Sequence, residues 1–394
     1  MCSEYLLLVG SEATFPSPEA LALLQATYSP EVEPNLLNAE LRKQGHPTEM
    51  ILDVVNQVAL RQKASQKLGL LADSLLFTRA GLEQASRLEV ALFHARKLGS
   101  KDSVTDLGCG LGIDSIAFAR AGLQVTAVES DPVTAQFAKS NLSKFETATV
   151  ELGFAQEYTI DSDAVFLDPA RRDLKASGRA RKLLAPDDFS PSIDFAFELL
   201  TQMPGGVKLS PALPHELVSD EFEATWVSNR GDLVELSQWS GDLSRAGRRY
   251  AVIVEGETEI EYTGEHVEAE TAPLGEFVYE PDPALIRSRL VGAFALDHGL
   301  GVVSSGIAYL TGGTLDSPWL RKYKLLEELP LNEKLLAGYL SNRGIGALEI
   351  KKRGVDVEPE LFRKKLKLKG SGAATLIATK VGGARKALVC EPVR

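Results

Sequence analysis

Over the first hundred residues the apolar positions recur at helical spacing. Met50, Ile51, Val54, Val55 and Val58 follow Pro47 on one side of a 3.6-residue period, and Leu82, Ala85, Leu88, Ala91 and Leu92 predict a helix over 81–98. Ser17-Pro18 marks an earlier helix start, because the fixed φ of proline suits the first helical position. No alternating pattern interrupts these segments. The reading is a helical N-terminal domain over 1–98.

From Ser103 the texture becomes short β-rich runs separated by helical ones. The strands expected are Val104–Leu107, Val125–Val128, Val150–Leu152, Ala164–Leu167 and Gly206–Leu209. Helices are expected over Asp114–Arg120, Pro132–Leu142 (with Asp131 as N-cap) and Ile193–Thr201. Apolar strands that alternate with helices predict an α/β fold, a doubly wound parallel sheet over 99–272. Leu233–Leu236 and Tyr250–Val254 have no full helix between them, so an antiparallel hairpin is expected to finish that sheet. The acidic stretch 256–275 reads as a strand and a linker. Asp282-Pro283 then opens an α+β domain over 273–394. Within it the pattern predicts a strand at Ala347–Lys351, a helix at Glu358–Leu366, and a hairpin of Thr375–Val381 with Lys386–Cys390 through Gly382-Gly383.

Composition adds bounds. At 394 residues the chain exceeds what one core normally supports, and 44% hydrophobic with 25% charged residues is ordinary for a water-soluble protein. The apolar run Tyr5–Gly10 is too short for a leader's apolar region or a membrane span, which leads us to expect a cytoplasmic protein with no membrane association. Cys2, Cys109 and Cys390 lack metal-ligand spacing, so no metal site is expected. The net charge of −11 argues against a nucleic-acid binder, unless the cations are clustered.

Candidate chemistry begins at Asp106-Leu-Gly108-Cys-Gly110-Leu-Gly112, between a strand and a helix. Glycines there let the backbone turn sharply and let a ligand approach without meeting a Cβ. The next strand ends in Glu129, 21 residues after Gly108, where a carboxylate accepts hydrogen bonds from ribose hydroxyls. The dinucleotide fingerprint would need glycine at the position of Ile113. The G-x-G-x-G form preceded by an acid resembles instead the turn of Rossmann-like methyltransferases. It implies S-adenosyl-L-methionine as cofactor, held by Asp106, Gly108, Gly110, Gly112 and Glu129. In that class an acid after the third strand often receives the adenine amino group. Here the run is Leu152-Gly-Phe-Ala-Gln156, so either a backbone contact or Gln156 is expected to substitute.

A second candidate is Asp168-Pro169-Ala170-Arg171, at the C-terminal end of the fourth expected strand, the edge where open α/β sheets bind ligands. It resembles the Asp-Pro-Pro-aromatic turn of methyltransferases that act on exocyclic base amines. Asp168 and the Pro169 carbonyl would accept hydrogen bonds from the amine and orient its lone pair. With Arg171 in the fourth position, the match supports methyl transfer more firmly than a base as acceptor. Arg171, Arg172, Lys175, Arg179, Arg181 and Lys182 stand against Asp173 alone, a local balance of +5. A second +5 run sets Lys351, Lys352, Arg353, Arg363, Lys364, Lys365, Lys367 and Lys369 against Asp356, Glu358 and Glu360. Such clusters suit a polyanion, although charge runs are also common on plain solvated faces. Lys208 and Ser210, at the end of the fifth strand, complete the candidate substrate-binding set with Arg171, Arg172, Lys351, Lys352 and Arg353; Lys208 could equally be an edge residue reaching solvent.

Taken together, these residues resemble a bacterial family of class I methyltransferases with a C-terminal THUMP-like domain. The resemblance is carried by Arg61-Gln-Lys-Ala64, Thr78–Ser86, the cofactor turn, Asp168-Pro-Ala-Arg-Arg-Asp173, Lys208-Leu-Ser-Pro211, Glu349–Gly354 and the final glycine hairpin. It implies RNA, tRNA or rRNA, as the methyl acceptor. A more distant similarity to trimethylguanosine synthases implies a guanine nitrogen. The residues alone leave two alternatives: a protein or small anionic metabolite as acceptor, or a non-catalytic RNA-binding module that retains the cofactor.

Overall fold

The computed structural model describes residues 14–171, 189–245 and 247–393. The chain forms two compact units, Met1–Glu223 with Ser237–Ala246, and Ala224–Leu236 with Gly247–Arg394.

The first unit opens with helices α1 (Pro18–Thr27), α2 (Pro34–Lys43), α3 (Thr48–Leu68), α4 (Arg79–Gln84) and α5 (Leu88–Lys97). Then follow β1 (Ser103–Leu107), α6 (Ile113–Arg120), β2 (Gln124–Glu129), α7 (Pro132–Leu142), β3 (Ala148–Leu152) and β4 (Ala164–Leu167). The two-residue strands β5 (Ala170–Arg171) and β6 (Phe189–Ser190), α8 (Ile193–Gln202) and β7 (Gly205–Leu209) complete the α/β part. The sheet order β3-β2-β1-β4-β7 is parallel throughout, as the strand–helix alternation predicts. The central strand β4 is apolar on both faces, with Ala164–Leu167 all fully buried, whereas the edge strand β3 is largely exposed. One core runs from Leu41, Val58 and Phe77 of the helical segment to Phe118, Phe166 and Trp239.

The helix expected over 81–98 is broken in two. Ala85 and Arg87 are extended (ψ 138° and 144°), and Ser86 sits in the break. The apolar periodicity spans the gap because Leu82 of α4 and Ala91 and Ala95 of α5 are buried in the same core. What ends α4 is a distant side chain: Lys67 Nζ donates to the carbonyls of Leu82, Glu83 and Ala85 at 2.9, 2.9 and 3.1 Å. These are the carbonyls a helix end leaves unpaired.

The second unit takes in most of β8 (Glu223–Asn229) and the start of β9 (Asp232–Ser240), then β10 (Arg249–Glu255) and β11 (Thr258–Gly264). Here the expected pairing of Leu233–Leu236 with Tyr250–Val254 does not form. Arg230 and Gly231 both take left-handed backbone (φ 54° and 78°), so the chain reverses at once and β9 returns beside β8. β10 then pairs with the other side of β8 in parallel, and its own antiparallel partner is β11 from the acidic stretch.

The remaining elements are β12 (Phe277–Pro281), α9 (Pro283–Arg287), α10 (Val291–Asp297), β13 (Gly301–Ser304), β14 (Ile307–Gly312), β15 (Leu320–Pro330), α11 (Glu333–Asn342), β16 (Ile345–Lys352), α12 (Pro359–Leu366), β17 (Gly372–Val381) and β18 (Ala384–Pro392). They build a seven-stranded sheet, β13-β14-β12-β15-β18-β17-β16. The hairpin through Gly382-Gly383 forms as expected, with Val381 opposite Ala384. Leu336, Leu340, Phe362 and Leu366 of α11 and α12 share a core with Leu348, Leu376 and Val389 of the sheet. Among the described residues no helix is long and apolar enough to cross a membrane.

Candidate active site

Strand register brings the candidate residues together. In the parallel ladder Leu107 pairs with Val128 on one side and Leu167 on the other, and Leu167 pairs with Val207. The next residue on each strand is therefore Gly108, Glu129, Asp168 and Lys208, side by side along the C-terminal edge. Sequence separation hides this, because only the register sets the four abreast.

The turn after β1 is built by backbone bonds. Gly108 and Cys109 donate to the Val128 carbonyl at 2.9 and 3.1 Å, and Gly110 N–H donates to Glu129 Oε2 at 3.0 Å. Gly108, Gly110 and Gly112 all have left-handed backbone, with φ of 80°, 56° and 79°. A Cβ on Gly108 would stand 3.5 Å from the Asp168 carbonyl, whereas one on Gly110 would meet nothing within 4 Å. The backbone is thus bare where it borders open space, the shape a ligand needs for close approach. Gly112 caps α6, whose N-terminus faces the same turn. Glu129 Oε1 accepts from Asp131 N–H (2.9 Å) and the Ser130 hydroxyl (3.3 Å), which leaves Oε2 with capacity for a further donor.

Asp106 points inward. It is 1% exposed and accepts a short hydrogen bond from the Ser115 hydroxyl, so it ties the turn to α6. Burial, with the nearby Asp114 and Asp168 charges, pushes its carboxyl up to about 8, against the Ser115 bond and the Lys208 charge. Gln156 is exposed in the turn after β3. The Gly153 N–H donates to the Glu129 carbonyl at 3.0 Å and brings that segment alongside Glu129. Leu152 and Phe154 flank it at 64% and 60% exposed, apolar positions at the rim that periodicity did not single out.

Beside Asp168 lies a polar chain. Lys208 Nζ donates to Asp168 Oδ2 at 2.6 Å and to Ser86 Oγ at 3.0 Å. The Ser86 hydroxyl donates to Asp114 Oδ2 at 2.7 Å, and Asp114 Oδ1 lies 2.7 Å from His94 Nδ1. His94 is fully buried, its ring 4.9 Å from that of Phe166. Burial pushes the Asp114 carboxyl up, but the His94 hydrogen bond and charge, Lys208 and the Ser86 hydroxyl together outweigh it and hold the group below its ordinary value. Lys208 thus faces Asp168 and Ser86. Sequence reasoning did not select Ser86, His94 or Asp114, which come from three separate elements; a buried His beside a helical Asp carries no spacing signature.

Pro169 is buried behind Asp168. Ser210 is 7% exposed and its Oγ accepts from Ala212 N–H at 3.3 Å, a turn-forming contact. Arg171 lies on β5, paired with Phe189 of β6. Arg172 and the rest of the 171–182 cations lie outside the described residues.

In the second unit the C-terminal cations divide. Lys351 Nζ donates to Glu280 Oε2 at 2.6 Å and Arg353 donates to the Ala308 carbonyl at 2.9 Å while stacking over Tyr309. Both are engaged with the protein, and their partners account for the residue type without a ligand. Lys352, between them on the strand, is exposed. Lys364, Lys367 and Lys369 are exposed at and after α12, while Lys365 pairs with Glu333.

A glycine turn bordering open space, a carboxylate at the end of the second strand, and an acid at the end of the fourth form the candidate ligand site at the C-terminal edge of the parallel strands. Comparison with known proteins gives the class. The chain is 32% identical, over 86% of its length and 97% of theirs, to uncharacterized S-adenosylmethionine-dependent methyltransferases from two strains of Mycobacterium tuberculosis. It belongs to that family of enzymes, and S-adenosyl-L-methionine is its cofactor. A crystal structure from Porphyromonas gingivalis, described as a methyltransferase, shares the fold at a TM-score of 0.80 and 24% identity, covering 97% of this chain and 100% of that one. Residues 320–392 match the family model for a THUMP domain-like region. That region is β15-α11-β16-α12-β17-β18 of the second unit.

Proposed function

We propose that the enzyme methylates a base nitrogen in RNA, with the cofactor on Gly108–Gly112 and Glu129 and the acceptor amine at Asp168. The observation that carries this reading is the register that puts Asp168 next to Gly108 and Glu129 on one sheet edge. The cofactor fits the residues present. Gly110 offers bare backbone beside open space, Glu129 Oε2 retains acceptor capacity for a ribose hydroxyl, and exposed Phe154 gives a flat apolar surface for the base. When bound, it supplies an electrophilic methyl group on a sulfonium centre.

The chain's own residues then hold the acceptor. Asp168, paired with Lys208, is an acceptor of hydrogen bonds that orients an amine's lone pair and stabilises positive charge developing on the nitrogen. A carboxylate so paired is a poor base, so orientation is its larger contribution. Asp106 anchors the turn from beneath, which fixes the backbone that meets the cofactor's amino-acid end. The basic 171–182 run in the sequence and the exposed Lys352, Lys364, Lys367 and Lys369 support a polyanionic acceptor, as does the THUMP domain-like match. An RNA acceptor puts the enzyme in the cytoplasm, in keeping with Cys109 and Cys390 as free thiols.

The test is incubation of the purified protein with labelled methyl donor and RNA from a strain lacking the gene, followed by nucleoside mass spectrometry. A single methylated nucleoside, lost with Asp168→Ala while the cofactor still binds, is expected. Label appearing only in protein or small metabolites would refute RNA as acceptor.

A further inference from the structure

Shortly before α4 the chain passes through residues 75–78 as an extended strap. Leu75, Leu76, Phe77 and Thr78 are all buried, yet the strap belongs to no sheet. Buried backbone N–H and C=O groups need partners, and here side chains supply them. Gln57 and Arg61 lie one turn apart on α3. Arg61 Nε donates to the Leu75 carbonyl at 2.9 Å. Gln57 takes both sides of Phe77: its Oε1 accepts from the N–H at 3.0 Å, and its Nε2 donates to the carbonyl at 2.8 Å. Asn141 of α7 does the same for Leu76, accepting from its N–H at 2.8 Å and donating to its carbonyl at 3.0 Å.

The two amides differ in one respect. Gln57 bonds only to Phe77 among the described residues, whereas Asn141 Nδ2 also donates to the Leu111 carbonyl at 3.0 Å, inside the glycine turn. Leu111 is itself buried, between Gly110 and Gly112. The strap also leads into α4, where the Thr78 hydroxyl accepts from Gly81 N–H at 3.0 Å. A Cβ on Gly81 would stand 2.7 and 2.8 Å from the Leu111 side chain and 2.8 Å from the Thr78 hydroxyl. Thus α4 comes this close to the turn because residue 81 has no side chain.

We propose that Asn141 is a positioning residue for the cofactor, which ties the Leu111 carbonyl to the buried strap and so fixes the backbone of the turn 108–112 before the ligand arrives. The proposal rests on the reading of that turn given above. Three glycines make the turn costly to order, because glycine loses more backbone freedom on folding than any other residue. Ordering it in advance keeps that cost out of cofactor binding. The helical segment is then a working part of the cofactor site, through the one link that Asn141 makes and Gln57 does not.

Gln57→Ala is the matched control for Asn141→Ala. Each variant takes the side-chain partner from the N–H and carbonyl of one strap residue, so both should lower the denaturant midpoint. Only Asn141→Ala also takes the donor from the Leu111 carbonyl. Affinity for S-adenosylhomocysteine is measured by calorimetry, and amide hydrogen exchange of residues 107–113 is followed without ligand. Expected is affinity weakened about fivefold or more in Asn141→Ala and within about twofold of the parent in Gln57→Ala. Exchange in the turn should be about fivefold faster in Asn141→Ala alone. Should either alanine variant fail to fold, Asn141→Asp and Gln57→Glu repeat the comparison with side-chain shape kept. At neutral pH each carboxylate still accepts from the strap N–H but has no proton to donate. Equal turn exchange in the two members of a pair overturns the proposal, and so does equal cofactor affinity where Gly110→Ala has weakened binding. If Gly110→Ala binds as the parent does, the reading of the turn falls, and exchange alone decides whether Asn141 holds it.

Discussion

Replacing Gly110 by alanine separates the demands of folding from those of the cofactor. Gly110 has φ +56°, and an added Cβ would meet no atom within 4 Å. The cost to the fold is therefore the left-handed backbone alone, roughly 1–2 kcal/mol for a non-glycine residue. On a domain of this size that lowers the melting temperature by about 2–4 °C per kcal/mol. The open space is where the ligand backbone would lie, so the methyl group intrudes on the bound cofactor. Overpacking by one methyl costs about 1–3 kcal/mol, and each 1.4 kcal/mol is about tenfold in Kd. Gly122→Ala is the matched control: φ is +96°, a Cβ there also meets nothing within 4 Å, and the residue lies in the turn before β2. Both variants should melt a few degrees early. Calorimetry with S-adenosylhomocysteine should find binding weakened by about fivefold to 100-fold in Gly110→Ala and unchanged in Gly122→Ala. Equal affinities in the two would show that the space above Gly110 is not the cofactor's.

Glu129→Gln keeps the size of the side chain but loses its charge, and hydrogen bonds to charged groups contribute about 1.5–3 kcal/mol; cofactor Kd should rise tenfold or more, and an unchanged Kd would remove Glu129 from the site. Asp106 retains its proton in the fold up to about pH 8, whereas in the unfolded chain it loses it near its ordinary value of 3.8. Its contribution to stability is thus full below that value and falls as pH rises toward 8. Denaturant midpoints at pH 5 and pH 8 should differ less in Asp106→Asn than in the parent, and equal differences would refute a buried neutral carboxyl. Substituting Lys364, Lys367 and Lys369 together by alanine should lower RNA affinity at low salt and reduce the slope of log K against log salt by about 2; an unchanged slope would place RNA contacts elsewhere.

Much of the fold was legible because its signals are local. Strand runs such as Ala164–Leu167 are continuously apolar since both faces are covered, and Asp131-Pro132 marks the start of α7 by caps that act within three residues. The glycine turn was legible for the same reason, as glycine is favoured where φ is positive, and Gly108, Gly110 and Gly112 all take positive φ. The pairing of β9 was misread because strand content does not specify a neighbour; the Arg230-Gly231 reversal does. The break at Ser86 was missed because Lys67, about fifteen residues earlier in the chain, supplies the partners that end α4.

The sequence by itself determined a glycine-rich turn after the first strand, an acid at the end of the fourth, and clusters of cations, since each is a run of adjacent residues whose chemistry does not depend on the rest of the chain. Only the tertiary structure decided that Lys208 faces Asp168 rather than solvent, that Ser86, Asp114 and His94 stand behind it, and that Lys351 and Arg353 are bound up with Glu280 and the Ala308 carbonyl. The physical reason is that a charged side chain's partner is set by register and packing between elements distant in sequence. Spacing along the chain carries no record of it.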